Sequence, residues 1–217
     1  LGVVEGKVDQ HRIGDTAFAG PLRGAAPVGD VDHFLVSVGV LEGPAGVDNA
    51  PLQVERSQKR IKSPVHLAEM HNFNLEQKFD VITCLFGSIS LAGDYEKYKQ
   101  TVANIKKHLN PGGLVLIEAF LFSRKFDCGS IRNTTKIRTL EGQDVEVQST
   151  ITRQDNYCVL DKQYIVEGQR HEDQIKLMLM TVEEYEKPFR DNGFRSEMVR
   201  FESGHYHALF ILTDESV

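Results

Sequence analysis

Cysteine is scarce in this chain and badly placed for cross-links. The 217 residues include three cysteines, Cys84, Cys128 and Cys158, which are odd in number and lie far apart. No two of them form a Cys-x-x-Cys pair. The sequence therefore predicts neither a disulfide framework nor a zinc site, and it is typical of a protein in a reducing cytoplasm.

Long apolar segments and clusters of basic residues are missing as well. No apolar run is long enough to cross a bilayer, and the mean hydropathy is −0.30, so no membrane span is predicted. The formal net charge is −6 at pH 7 and the basic residues are scattered, which argues against a nucleic acid as the partner. A hydrophobic content of 41% and a charged content of 26% indicate an ordinary globular domain.

Residues 1–63 lack the regular patterning of the rest of the chain. They hold nine of the 18 glycines and four of the seven prolines, without a clear helical period. Their one strong apolar run, residues 34–41, predicts a strand that ends in a turn. We therefore predict an atypical N-terminal segment over residues 1–63 and an α/β domain over residues 64–217.

The patterning becomes regular from Val65 onward. A compact β-branched and aromatic run at residues 79–86 predicts a buried strand, and Asp94 is placed to cap a following helix. Asn110, Pro111 and the two glycines after them end that helix, and residues 114–118 form a second buried strand. Strand, helix and strand in this order predict a parallel pair. The apolar face of the helix comprises Tyr95, Tyr98, Val102, Ile105 and Leu109.

Several alternating segments between residues 134 and 180 predict an antiparallel insertion. Thr181 and Glu184 then form a capping box that opens the last helix, and two further strands are predicted at residues 194–201 and 206–212. The sequence alone thus predicts an α/β fold with an antiparallel insertion before its last helix.

Three segments, in this order, carry a family resemblance. They are the Ala-Glu-Met of residues 68–70, the strand and turn of residues 79–89, and the Asn-Pro-Gly-Gly strand of residues 109–118. Together they resemble class I S-adenosylmethionine-dependent methyltransferases. The resemblance covers about residues 65–212 and implies a Rossmann-like methyltransferase sheet with S-adenosylmethionine as the cofactor.

Further features narrow the resemblance. Residues 118–122, the β-rich insertion and residues 180–189 are similar to small-molecule N-methyltransferases, especially those that dimethylate the amine of nucleotide-linked aminosugars. This implies methyl transfer to an amine of a small polar molecule such as a nucleotide-linked aminosugar. The sequence decides neither the exact substrate nor whether the chain is a homodimer.

The resemblance also assigns a cofactor side of the site. Glu69 stands where the family has an acidic residue that accepts from the adenine amino group, and Met70 stands where a side chain packs on the ring. Leu85 is the expected wall of the methionine site at the carboxyl end of its strand. The alternative interpretation is a turn carboxylate beside two core residues.

On the substrate side, the resemblance assigns Glu118, Ala119 and Phe120, with Ala119 in place of the family's usual proline. Positioning supplies most of the catalysis, because the methyl donor is already activated and the amine must approach it in line and dry. The candidates for a general base are Glu118 and His171, the latter on the lid-like insertion. His171 is equally well interpreted as an exposed turn histidine.

Two further histidines, His205 and His207, place imidazoles on one face of a terminal strand. No third ligand accompanies them, and strand alternation alone explains their spacing. We therefore predict no metal site.

The family's Gly-x-Gly turn and the acidic residue of the next strand are not recognisable. Residues 35–46 are the nearest match to the turn, and Glu55 is the candidate for the ribose acid, but the interval from Glu55 to Phe79 looks too short for the usual helix and third strand. Three explanations stay open: a divergent cofactor loop, a truncated paralogue, or a changed reading frame upstream of about Pro64.

These explanations leave two functions from different classes. The first is the methyltransferase, and the second is a non-catalytic module for ligand binding or dimerisation. A nicotinamide-dependent oxidoreductase ranks last, because it needs the same glycine loop and explains neither Glu69 and Met70 nor the insertion.

Overall fold

The computed structural model describes residues 36–39, 44–121, 131–138, 142, 144–200 and 207–215. In chain order the strands are β1 (Val36–Gly39), β2 (Ala45–Asp48), β3 (Val65–Leu67), β4 (Phe79–Cys84), β5 (Leu109–Phe120), β6 (Ile131–Arg138), β7 (Asp144–Gln154), β8 (Tyr157–Val166), β9 (Gln169–Met178), β10 (Phe194–Arg200) and β11 (His207–Asp214). The α-helices are α1 (Pro51–Arg60), α2 (Tyr95–Lys107) and α3 (Val182–Asp191), and a 3₁₀ helix covers Ser88–Leu91.

The larger of two sheets has seven strands in the order β10-β11-β5-β4-β1-β2-β3. Strands β4 and β5 pair in parallel, as do β2 and β3, whereas β1 runs antiparallel to both of its neighbours. At the other side, β11 runs antiparallel to β5 and to β10. The predicted parallel pair around α2 is confirmed.

The N-terminal side of this sheet shows where Glu55 lies. This residue is inside α1, which begins before it at Pro51, so the interval to Phe79 holds the second part of this helix and the strand β3. Pro51 occupies the first turn of α1, where its missing N–H costs nothing, and Val54 is the one buried side chain of the helix. Helix α1 therefore carries no apolar stripe, although β2 and β3 on either side of it belong to the same sheet as β4.

Helix α2 is built as its sequence predicts. The Asp94 Oδ1 atom accepts a hydrogen bond from the Lys97 amide at 2.8 Å, which caps the helix. Tyr98, Val102 and Ile105 are completely or almost completely buried against the sheet. The predicted apolar face is thus confirmed for these three residues, with Tyr95 partly buried beside them, whereas Leu109 lies in β5 and not on the helix.

Helix α3 packs beside α2 and is also capped as predicted. Thr181 and Glu184 form both hydrogen bonds of the capping box. The Tyr98 hydroxyl donates to the Tyr185 carbonyl at 2.7 Å, which ties the two helices together. The rings of Tyr98, Tyr185, Phe189 and Phe210 contact one another between α2, α3 and β11.

The glycine-rich turn predicted at residues 110–113 instead forms part of β5, which begins at Leu109. Leu109 already pairs with Phe79, and the next pairing joins Leu114 to Val81, so the ladder is irregular between them. Gly112 has a φ of 75° in this stretch, which suits a residue without a side chain.

The smaller sheet is an antiparallel meander in the order β6-β7-β8-β9, which confirms the predicted insertion. Residues 139–141 and 143, which belong to the predicted insertion, lie outside the described residues. Buried side chains of Cys158, Ile175, Leu177 and Leu179 form an apolar cluster that packs on Phe120 and Leu91. The insertion therefore rests on the carboxyl-terminal end of β5 and on the 3₁₀ helix after β4.

In the part of the chain that the structure describes, no helix is both long enough and apolar enough to cross a bilayer.

Candidate functional site

The site lies at the carboxyl ends of β4 and β5, which meet because these strands are parallel neighbours. Ligands of open α/β sheets bind at this edge. Leu85 and Phe86 follow β4, while Glu118, Ala119 and Phe120 end β5. The structure thus brings together the predicted substrate residues and one predicted cofactor residue.

A tight turn leads out of β4. The Leu85 carbonyl accepts hydrogen bonds from the Ser88 amide at 3.2 Å and from the Ser88 hydroxyl at 2.8 Å. The two central residues, Phe86 and Gly87, have φ values of 57° and 72°. Two positive φ values in succession are the mark of a type I′ turn.

Gly87 permits a close approach as well as this backbone conformation. A Cβ atom at this position would lie 1.9 Å from the Phe120 ring. The ring therefore packs directly against the backbone of the turn, and any larger residue would push it away.

Glu118 holds the same turn from β5. Its Oε2 atom accepts a hydrogen bond from the Phe86 amide at 2.8 Å. The nearby Cys84 side chain is fully buried, and burial raises the pKa of its thiol well above the ordinary value, with the Glu118 charge adding to the effect. Cys84 is thus kept neutral and is a core residue rather than a nucleophile.

Tyr185 on α3 anchors this edge of the sheet through its hydroxyl. Its hydroxyl donates to the Phe120 carbonyl at 3.2 Å and lies 2.9 Å from the Ser90 Oγ atom. Burial strongly raises the pKa of Tyr185, so the hydroxyl keeps its proton. Ala119, beside Phe120, is completely buried and pairs with Ala208 of β11.

The predicted adenine side follows β3. Glu69 is exposed, whereas Met70 is buried in the main core. The Asn104 side chain donates to the carbonyls of Met70 at 3.4 Å and Phe73 at 3.0 Å, which anchors this turn on α2. The cofactor roles of Glu69, Met70 and Leu85 stay predictions.

Asp48 is an acidic residue that the sequence analysis missed. It ends β2 and is buried, its Oδ1 atom accepts from the Ala50 amide at 2.8 Å, and its carbonyl accepts from the Ala68 amide at 3.0 Å. Glu55, the predicted ribose acid, instead lies on an exposed turn of α1 and pairs with Lys59. The ribose role of Glu55 stays a prediction. An acid at the end of a short apolar strand, followed by a proline-initiated helix, is the signal that points to Asp48.

His171 lies on β9, half-buried and opposite Tyr164, and not in a turn. It is seven residues from Met178, or ~23 Å along an extended strand. Met178 packs in the main core. The structure thus places His171 toward the outer end of the insertion, and its role as a base stays a prediction.

The predicted imidazole pair lies outside the described side chains, since His205 and the side chain of His207 are not described. Over the described residues, no group of three or more His, Cys, Asp or Glu side chains is arranged to hold a metal ion.

No protein-family model matches the chain. Among curated proteins, it is similar to the dTDP-3-amino-3,4,6-trideoxy-alpha-D-glucopyranose N,N-dimethyltransferase of Streptomyces venezuelae, with 27% identity over 173 residues, 77% of this chain and 71% of the relative. It is also similar to the dTDP-3-amino-3,6-dideoxy-alpha-D-glucopyranose N,N-dimethyltransferase of Streptomyces fradiae, with 25% identity over 77% of this chain and 66% of the relative. The chain thus spans about two-thirds of the length of these relatives.

Solved structures agree with the sequence comparison. CalS10 from Micromonospora echinaspora, an amino pentose methyltransferase solved with bound S-adenosylmethionine, matches with a TM-score of 0.68 and 26% identity over 78% of this chain and 72% of that one. This chain has the class I methyltransferase fold. Streptomyces venezuelae DesVI matches with a TM-score of 0.71 and 24% identity over 78% of this chain and 73% of that one. The predicted resemblance to S-adenosylmethionine-dependent methyltransferases is confirmed.

Proposed function

We propose that the chain transfers methyl groups from S-adenosylmethionine to the amine of a nucleotide-linked aminosugar. The observation that carries this proposal is that three curated relatives, each named as the N,N-dimethyltransferase of a dTDP-aminosugar, match 70% to 77% of the chain. The matched part includes the carboxyl edge of β4 and β5, where such a substrate would bind.

The described residues fit the adenosine part of the cofactor. Asp48 offers a buried carboxylate at the end of β2, the position from which acidic residues bind ribose hydroxyls in dinucleotide folds. Glu69 offers an exposed carboxylate two positions beyond Leu67, the residue that pairs with Asp48. The Nδ1 atom of His71 is buried without a hydrogen-bond partner among the described residues, as expected of a group that faces a polar ligand.

The chemistry makes modest demands on the protein. S-adenosylmethionine supplies a methyl group on a positively charged sulfur. The amine lone pair forms the new N–C bond while the S–C electrons return to sulfur, and the amine proton leaves to a base or to water. The chain contributes a fixed surface around the amine, built from Leu85, Phe86 and Phe120 with the Glu118 carboxylate among them, and a bound substrate would displace water from it. Glu118 and His171 remain the proposed candidates for the base.

The proposal also covers the cellular compartment and the association state of the enzyme. The low cysteine content supports a reducing cytoplasm as its compartment. Its association state, including the proposed homodimer, is measured by light scattering of the purified chain.

Calorimetric titration with S-adenosylmethionine and S-adenosylhomocysteine tests the cofactor assignment. A dTDP-aminosugar is then incubated with the cofactor, and mass spectrometry follows the addition of one and then two methyl groups. No binding at millimolar cofactor would reject the enzyme. Binding without methyl transfer to any aminosugar would instead support the non-catalytic module.

The Asp48→Asn variant sharpens the cofactor assignment. We expect a loss of affinity for S-adenosylhomocysteine of about tenfold or more, because the amide no longer accepts two charge-assisted hydrogen bonds from the ribose. Glu55→Gln is the matched control, since Glu55 is an exposed acid of the following helix. Equal affinities of the two variants would remove Asp48 from the site.

A further inference from the structure

Phe86 combines two features that are rarely found in one residue. Its side chain is 73% exposed, the highest exposure among the large apolar residues of the described chain, and it stands at the ligand-binding edge of the sheet. Its backbone has a φ of 57°. Neither feature is explained by packing, because an exposed ring contributes little to the core.

The turn sequence opposes the turn that forms. Both central positions of a type I′ turn favour Asn, Asp or Gly, and an aromatic residue with positive φ is a genuine outlier. Two side-chain hydrogen bonds stabilise the turn against this preference. Ser88 donates to the Leu85 carbonyl, and Glu118 accepts from the Phe86 amide. Glu118 is 32 residues away along the chain, so the strained conformation is imposed by tertiary structure.

We propose that Phe86 is a substrate-contacting residue whose ring forms an apolar platform for the amine-bearing ring of the acceptor. We further infer that Glu118 is the positioning residue that sets this platform, rather than the general base. Both statements rest on the proposed function. Backbone strain is retained where the surrounding structure enforces it for a task. Phe86 follows Leu85, a predicted cofactor residue, at the sheet edge where β5 ends in Phe120, a predicted substrate residue.

The location of the ring favours the acceptor as its ligand. Phe120 packs against Gly87, the next residue of the turn, so Phe86 and the Phe120 ring belong to the same part of the sheet edge. The apolar cluster of the insertion packs on Phe120 and Leu91. An acceptor ring placed between the turn and the insertion would lose water on both faces, which is the dry setting that the amine requires.

The Phe86→Asn variant distinguishes a role of the ring in substrate binding from a role in stabilising the fold. Asparagine suits positive φ, so we expect an unchanged or raised Tm, by up to about 2 °C, as expected when local strain is relieved in a chain of this size. The KM for the aminosugar should rise at least tenfold, while the Kd for S-adenosylhomocysteine changes less than threefold. Phe86→Tyr, which keeps the ring, should keep the KM within threefold, and Val199→Asn is the control for an exposed apolar side chain on an edge strand.

The role of Glu118 is tested by two variants. Glu118→Gln keeps an oxygen that can accept from the Phe86 amide but removes the basic carboxylate, whereas Glu118→Ala removes both. We expect the glutamine variant to keep kcat within about fivefold with an unshifted pH profile, and the alanine variant to raise KM as Phe86→Asn does. A glutamine variant as inactive as the alanine variant, with the fall in rate at low pH lost from its pH profile, would establish Glu118 as a base and overturn this role.

The outcomes for the two proposals are distinct. A wild-type chain that neither binds S-adenosylhomocysteine nor methylates an aminosugar overturns the proposed function, and this inference with it. A wild-type chain that methylates, with Phe86→Asn keeping its KM, overturns the inference alone.

Discussion

The two sheets are stabilised by different means. Behind the seven-stranded sheet, α2 and α3 enclose a set of aromatic side chains that are completely buried: Tyr98, Tyr185, Phe189 and Phe210. In the strands of the insertion, exposed and half-buried side chains outnumber the buried ones, and Tyr164 and Lys162 are buried opposite the polar residues His171 and Asp173. Apolar burial dominates the first region, whereas cross-strand pairing contributes more in the second.

This difference separates stability from specificity. A large-to-small change behind the main sheet creates a cavity, because the rings fill a rigid interior. The same change in the insertion removes a side chain from one sheet face. The main sheet should therefore limit the stability of the chain, while the insertion can change shape with little cost to the fold.

The largest expected effect is at Tyr185. We expect Tyr185→Ala to lower the free energy of unfolding by about 3–5 kcal/mol, because it removes a fully buried ring and its hydrogen bonds to the Phe120 carbonyl and Ser90. Tyr164→Ala on β8 is the comparison variant, and we expect a smaller loss. Urea denaturation followed by circular dichroism measures both. If Tyr164→Ala costs as much as Tyr185→Ala, the two sheets do not differ in this way.

The elements that the sequence predicted well are those whose signals are local. Asp94 caps α2, and the apolar face of that helix recurs at helical spacing, so neither needs a partner to be recognised. The same holds for the capping box of Thr181 and Glu184 and for the alternation along the insertion strands.

The parts that could not be predicted depend on distant residues. Helix α1 buries Val54 alone, so its sequence shows no apolar stripe. The short strand β2 gains its place by pairing with β1 and β3. The turn at Phe86 contradicts local preference and forms because Glu118 lies beneath it. Asp48 was missed because its strand has four residues and two glycine- or proline-containing turns flank it.

The next effect in size is a dependence of the free energy of unfolding on pH, and we expect it from His108 at the end of α2, the helix that packs against the main sheet. His108 is buried beneath the Phe73 ring, its Nδ1 atom donates to the Asn104 carbonyl at 2.8 Å, and its Nε2 atom accepts from the Leu75 amide at 3.3 Å. Burial lowers the pKa of His108 below its ordinary value. The Asn104 carbonyl opposes this shift, and the charges of Lys107 and Lys78 add to it.

The sign of the pH effect follows from this lowered pKa. As pH falls below about 6.5, the unfolded chain takes up a proton at this histidine before the folded chain does, so the folded state loses stability. The loss stops growing below the folded pKa. We expect the free energy of unfolding of the wild type to fall more steeply between about pH 7.5 and 5 than that of His108→Gln, which cannot take up the proton. Parallel curves for the two proteins would show that His108 does not contribute.

The smallest expected effect is in the insertion and completes the comparison. Arg138 on β6 forms an ion pair with Asp144 on β7, with 2.7 Å between Nε and Oδ1, and both side chains are mostly exposed. This pair raises the pKa of Arg138 and lowers that of Asp144, but water screens their attraction. We expect Arg138→Ala to leave the Tm unchanged within error, in low and in high salt. A clear drop in Tm that high salt abolishes would mean that surface charge pairs, and not backbone pairing with the apolar cluster on Phe120, stabilise the insertion.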